Sequence, residues 1–254
     1  TEIYTLSLHD ALPIWCDGAH LAPPCARRRR RLYNDAHGLH VASVLPVRPD
    51  RVAPRLPILP PGHGMTTLDE LMTMNADALH AIIARAHPLD LDALADTSYT
   101  GIDLSMPAWF HKLMWRSFRK TFHRDPHTGK LRGWNVRVEQ VGWDTPPPPM
   151  RRRDGSAISF GHYEVRDATG LPFPRDWKGA HYLDYRDAGN RAFDFPANAG
   201  YCPLVAVNEG SSELLLGWEV FNVKGLQLPL RDYWVLVREG ALRPEDVVPR
   251  PDGK

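Results

Sequence analysis

The sequence predicts an α+β chain that is mainly β, with N-terminal helices followed by an antiparallel barrel or a strongly curved sheet. Three observations predict it. Helical periodicity is confined to the part of the chain before residue 124. Six segments of strand character then follow between residues 130 and 240, with an extended "SYTGIDL" ahead of them. The joints between them, "DATG", "DAGN" and "NEGSS", are turn-forming. Helices first and many short strands afterwards favour an antiparallel sheet.

Taken in order, residues 1–14, "TEIYTLSLHDALPI", resemble one reading frame of a short-read sequencing adapter and are set aside as an adapter-like artefact. Residues 15–64 hold an Arg run and scattered Pro without a sustained period, so they are expected to be disordered. They read as upstream DNA translated in frame, which makes Met65 the natural start. Residues 65–96 form an N-terminal helical segment, with a capping box at Thr67 and Glu70 and an apolar face through Leu71, Leu79 and Ile83. Asn75 is a candidate break in it. Residues 97–240 make the barrel domain, with one inserted helix over 107–123 whose stripe is Phe110, Leu113, Met114, Phe118 and Thr121. Residues 241–254 are Pro-rich and read as a loose tail.

Composition narrows the function classes. The chain has 31 basic and 30 acidic residues, and residues 1–64 hold eight Arg against five acidic groups. From Met65 onward the chain is slightly acidic and shows no electrostatic footprint for nucleic acid. Cys202 is the one cysteine after residue 64, which excludes a disulfide framework or a Cys-based zinc site there. No apolar run is long enough for a membrane span, and the expected location is cytoplasmic. P-loop, G-x-G-x-x-G, G-x-S-x-G and H-E-x-x-H patterns are missing.

The segments "YTGIDLSMPAWFHKLMWRSFRKTFHRDPHTGKLRGWNV", "ISFGHYEV" and "ELLLGWEVFNV…DYWVLVREG" resemble uncharacterised bacterial proteins, and are distantly similar to the GXWXG/DUF4334 type. The resemblance covers residues 97–239 and implies a lipocalin-like barrel. The G-x-W-x-G motif itself is not present, so the resemblance implies a fold more than an activity.

Polar residues inside otherwise apolar strands are the site candidates. Asn135 and Arg137 share a strand face; His162 falls in the period of Ile158 and Phe160; Asp184 follows Tyr182; Glu219 lies between Leu215 and Phe221. In "RDYWVLV", Arg231 and Tyr233 resemble the R-x-Y pair with which fatty-acid-binding barrels grip a carboxylate. The basic set Arg116, Arg119, Lys120, His123 and Arg124 would scatter around a helix and reads as a solvated face. "HRDPH" reads as a turn, because Pro126 breaks the geometry that two ligating imidazoles need. No metal or cofactor is expected.

The expected function is binding of a small apolar or amphipathic molecule in a barrel cavity, with Asn135, Arg137, His162, Glu219, Arg231 and Tyr233 as lining groups. The first alternative is an enzyme with His162 as general base and Asp184 or Glu219 as its carboxylate. The second is an interaction module without a pocket. Oligomeric state is left open.

Overall fold

The computed structural model describes residues 65–251, apart from 114, 192 and 193. The readings of residues 1–64 therefore lie outside the described residues. Three helices come first: α1 (Leu68–Thr73), α2 (Ala76–Ile83) and α3 (Leu91–Leu94). Thr67 and Glu70 form the expected capping box on α1, and Asn75 splits the segment by capping α2 with its side-chain oxygen.

The strands are β1 (Thr97–Asp103), β2 (Ser117–Arg124), β3 (Leu131–Val136), β4 (Ser159–Asp167), β5 (His181–Asp184), β6 (Tyr201–Ala206), β7 (Leu214–Val223) and β8 (Leu226–Ala241). A short helix, α4 (Ala108–Leu113), joins β1 to β2. Each strand pairs antiparallel with the next, and β8 pairs with β1, from Asp103↔Trp234 to Thr97↔Ala241. The sheet is thus a closed eight-stranded up-and-down barrel, and no edge is left unpaired.

Alternation then divides the side chains. Tyr99, Phe122, Tyr163, Leu183, Tyr185, Cys202, Leu204, Leu215, Trp234 and Leu236 fill the inside. Outside, α1 and α2 bury Leu71, Leu79 and Ile83 against Trp218, Val220, Tyr233 and Val235 of the β7–β8 wall. Each such side chain contributes about 1.5–3 kcal/mol by leaving water.

An interior so rich in rings closes only where other positions are empty. Phe118 lies across from Gly101, Tyr163 from Gly133 and Trp234 from Gly217, each pair in direct register. In all three the ring occupies the place a Cβ on the glycine would take. One end of the interior is stopped by Leu89 and by Leu94 of α3, both buried in the inner cluster.

Two expectations need correction. The inserted helix over 107–123 is instead α4 followed by a strand from Ser117. Phe118, Lys120 and Phe122 face inward while Arg119, Thr121 and His123 face out. A lysine in the inward row conceals that alternation, so the apolar spacing imitates a helix. The tail is also not loose over the residues described. Leu242, Val247 and Val248 cover Trp134 and Val136, and Arg132 donates to the Val248 carbonyl at 2.9 Å. Arg250 reaches Glu164 at 2.7 Å. Among the described residues no helix is long and apolar enough to cross a membrane.

Candidate functional site: the open mouth of the barrel

Antiparallel order puts the ends of β1, β3 and β5 and the starts of β2, β4 and β6 together, opposite the α3 plug. The connections 104–116 and 137–158 meet there. Gln140 joins them: its Oε1 accepts from the Arg116 and Ser117 amides at 2.8 and 3.0 Å, and its Nε2 donates to the Ser117 and Val138 carbonyls. Beside this staple lies a cavity of about 200 Å³ lined by Trp115, Ser117, Phe118, Arg137, Val138, Gln140, Met150 and Phe160.

The lining is aromatic with one charge. Trp115 and Phe160 meet edge to face with centroids 5.5 Å apart, and the Arg137 guanidinium lies 5.2 Å over the Trp115 ring. Among the described residues the Arg137 side chain has no carboxylate and no hydrogen-bond acceptor. Burial disfavours its charge, and no counter-charge offsets that. Neighbouring cations differ in this respect: Arg119 is held by Glu239 at 2.8 Å and by the Pro147 carbonyl.

Below Phe118 the interior becomes polar. Lys120 is 1 % exposed. Its Nζ donates to Asn135 Oδ1 at 2.8 Å and to the Tyr185 hydroxyl at 2.7 Å. The rings of Tyr163 and Trp234 lie 4.6 and 4.7 Å from it, and those of Tyr185 and Phe118 at 5.4 and 5.6 Å. No carboxylate lies within ion-pairing distance of it among the described residues. Burial pulls its pKa down to about 7, partly opposed by Cys202 and Glu219. Glu219 accepts from Trp234 Nε1 at 3.3 Å, and burial raises its pKa. Asp232 is raised to about 8, by burial first and then by Asp103 and Glu219. Lys120, Glu219 and Asp232 thus share a space that penalises each charged form.

The expected site residues are divided between the two sides of the wall. Asn135 and Glu219 face in, and Arg137 reaches the mouth. His162 faces out. The register moves by one residue between Gly133↔Tyr163 and Asn135↔Phe160, and Gly161 takes a φ of 53° at the extra position. That bulge separates the face of His162 from that of Phe160. The His162 ring lies 6.2 Å from Trp134, and burial, with Arg132 and Arg250, lowers its pKa to about 4. Asp184 also faces out, fully buried between Arg166 and Arg186 at 3.1 and 2.8 Å. Glu219 is on the opposite side of the wall from His162, and Asp184 already has two guanidinium partners. The general-base pairing of His162 with either carboxylate is therefore not assembled.

The R-x-Y pair faces out as well. Arg231 meets Asp77 of α2 at 3.1 Å, and Tyr233 stacks on Trp218 under α2. Alternation explains it, because Asp232 and Trp234 take the inward positions. The "HRDPH" side chains serve local structure: His123 bonds Asp96 at 2.6 Å, and Asp125 caps its own turn and holds Arg132. Among the described residues no group of three or more His, Cys, Asp or Glu is placed to hold a metal.

Trp115, Phe118, Phe160, Tyr185 and Asp232 were not singled out as site residues by sequence, and Lys120, read there as part of a solvated face, is instead buried inside the barrel. The readable signal was Phe118-x-Lys120-x-Phe122, an alternation with one cation in its apolar row. Neither protein-family models nor curated proteins give a match to this chain.

Proposed function

We infer that the barrel binds a small amphipathic anion at its mouth, in a lipocalin-like manner. The observation that carries this is Arg137, a half-buried guanidinium over Trp115 with no acceptor of its own among the described residues, in the wall of an aromatic cavity. A guanidinium presents a fork of donors that a carboxylate fills with two parallel bonds. Trp115, Phe118, Phe160 and Met150 provide the apolar surface for the rest of the molecule. The cavity is smaller than the roughly 300–1,000 Å³ of drug-sized sites, which fits a single ring or a short chain. The ring-filled interior supports a guest held at the rim more than one swallowed whole.

The test is a tryptophan-fluorescence titration with aromatic and short aliphatic carboxylates, each beside its primary amide. Carboxylates are expected to bind at least about tenfold tighter than their amides, a difference of about 1.4 kcal/mol. Arg137→Gln is expected to remove that preference and leave the thermal midpoint in place. Equal affinity for acid and amide in the unmodified protein overturns the reading.

A further inference from the structure

We propose that Lys120 is a carbonyl-condensing amine, whose Nζ forms an imine with a small aldehyde or ketone admitted through the mouth past Phe118. The proposal rests on the mouth being the binding site and names the chemical class of its guest.

The first argument is location. Phe118 borders both spaces: it lines the mouth cavity, and its ring centre is 5.6 Å from the Lys120 amine. Across the strand the Phe118 ring packs on Gly101, where it takes the place a Cβ would have. Asn135, which holds the amine, is two residues below Arg137 on β3, about 7 Å along an extended strand. A guest with its anion on Arg137 would thus direct its other end toward Lys120.

The second argument is cost. A lysine buried without a carboxylate partner opposes folding, and an apolar residue of like volume would fill the position better. Two neutral oxygens can take both N–H bonds of the free amine and leave its lone pair open, while the aromatic faces favour the ammonium form and burial opposes it. Aromatic faces and two neutral oxygens position the nitrogen, and burial keeps its pKa near neutrality, where a large fraction carries a free lone pair. Such desolvation activates lysine nucleophiles. Cys202 is the competing nucleophile, but burial raises its thiol well above the ordinary value and keeps it protonated.

The step balances without oxidant or reductant. The Nζ lone pair attacks the carbonyl carbon, and the C=O π pair moves to oxygen, which takes a proton. The nitrogen gives a proton back to the acid, the hydroxyl takes it and leaves as water as the C=N bond forms, and the remaining N–H proton of the iminium returns to the acid to give the imine. Glu219 from β7 is the proton source, since burial favours its neutral form. The other titratable groups facing this space are Tyr99 and Asp103 of β1, Tyr163 of β4, Tyr185 following β5, Cys202 of β6 and Asp232 of β8.

The experiment incubates the full chain at pH 7 with butanal, benzaldehyde and 4-carboxybenzaldehyde plus cyanoborohydride, which reduces an imine to a stable secondary amine. Peptide mass mapping then locates the label. Label on Lys120 is expected at least tenfold ahead of exposed Lys130, Lys178 and Lys224, with 4-carboxybenzaldehyde the fastest reagent. Phe118→Ala is expected to speed labelling, and Lys120→Arg to abolish it at this position. Label confined to the exposed lysines in both the unmodified protein and Phe118→Ala overturns the proposal. If carboxylates still bind in an Arg137-dependent way, the imine alone has failed. If that binding is missing too, the mouth reading has failed with it.

Discussion

The two ends of the barrel have the same strands and opposite characters. At the stopped end Leu89 and Leu94 enter the interior, Asp90 caps α3 and Arg124 ties α3 down through the Leu91 carbonyl and Asp92. At the mouth, Trp109, Val141 and Met150 remain exposed and Arg137 has no counter-charge among the described residues. Charge follows the same division. The mouth connections 104–116, 137–158, 185–200 and 224–225 carry nine Arg or Lys against five Asp or Glu; 87–96, 125–130, 168–180 and 207–213 carry three against seven. A field of that sense draws anions toward the mouth and away from the stopper. Packing that is complete at one end and incomplete at the other separates the part that holds the fold from the part that can hold a guest.

The sharpest way to break this comparison is to exchange the damage. Leu94→Ala is expected to cost roughly 2–5 kcal/mol in chemical denaturation, as large-to-small changes in filled cores do. Met150→Ala at the rim is expected to stay within about 0.5 kcal/mol. Equal losses would mean that the mouth carries the fold as well. Between the ends, Gly217→Ala places a methyl where the Trp234 ring lies and is expected to cost roughly 1–3 kcal/mol by overpacking.

Two pH experiments sharpen the comparison with effects of opposite sign. The folded pKa of Lys120 is below its unfolded value of 10.5, so the native state binds fewer protons and this group adds stability as pH rises from about 7. Denaturation of the unmodified protein and Lys120→Met at pH 6 and pH 9 is expected to favour the lysine more at pH 9. The folded pKa of Asp232 is instead raised, so its contribution is full below the unfolded value of 3.8 and is lost as pH rises toward 8. Asp232→Asn is expected to gain on the unmodified protein between pH 5 and pH 9. A shift of the same sign in both variants would show that the two groups do not titrate inside the barrel as described.

The β1 and β3–β8 segments were legible because strand-forming runs stand between clear turn signals. The capped helices were legible because Thr67, Glu70 and Asn75 act locally. What escaped depends on partners far away in the chain. Strand β2 looked helical because Lys120 stands where an apolar residue completes the pattern, and its partners Asn135 and Tyr185 are 15 and 65 residues away. His162 and Phe160 were joined by period, and one extra residue at Gly161 parted them. The glycine–aromatic pairs are visible only once register is known, since a lone Gly in a strand has several readings. Arg137 was legible as a candidate; its lack of a counter-charge was not, because that is a property of everything around it.

The pairing of β8 with β1 has a consequence for how this protein is made. The first strand waits on the ribosome for a partner that begins more than 120 residues later, and the ring cannot shut until Ala241 has been synthesised. Contacts of such separation form slowly. Until then Lys120 stays wet and carries an ordinary amine charge. Its chemistry is therefore created in the final act of folding, when the last strand expels water from the inside.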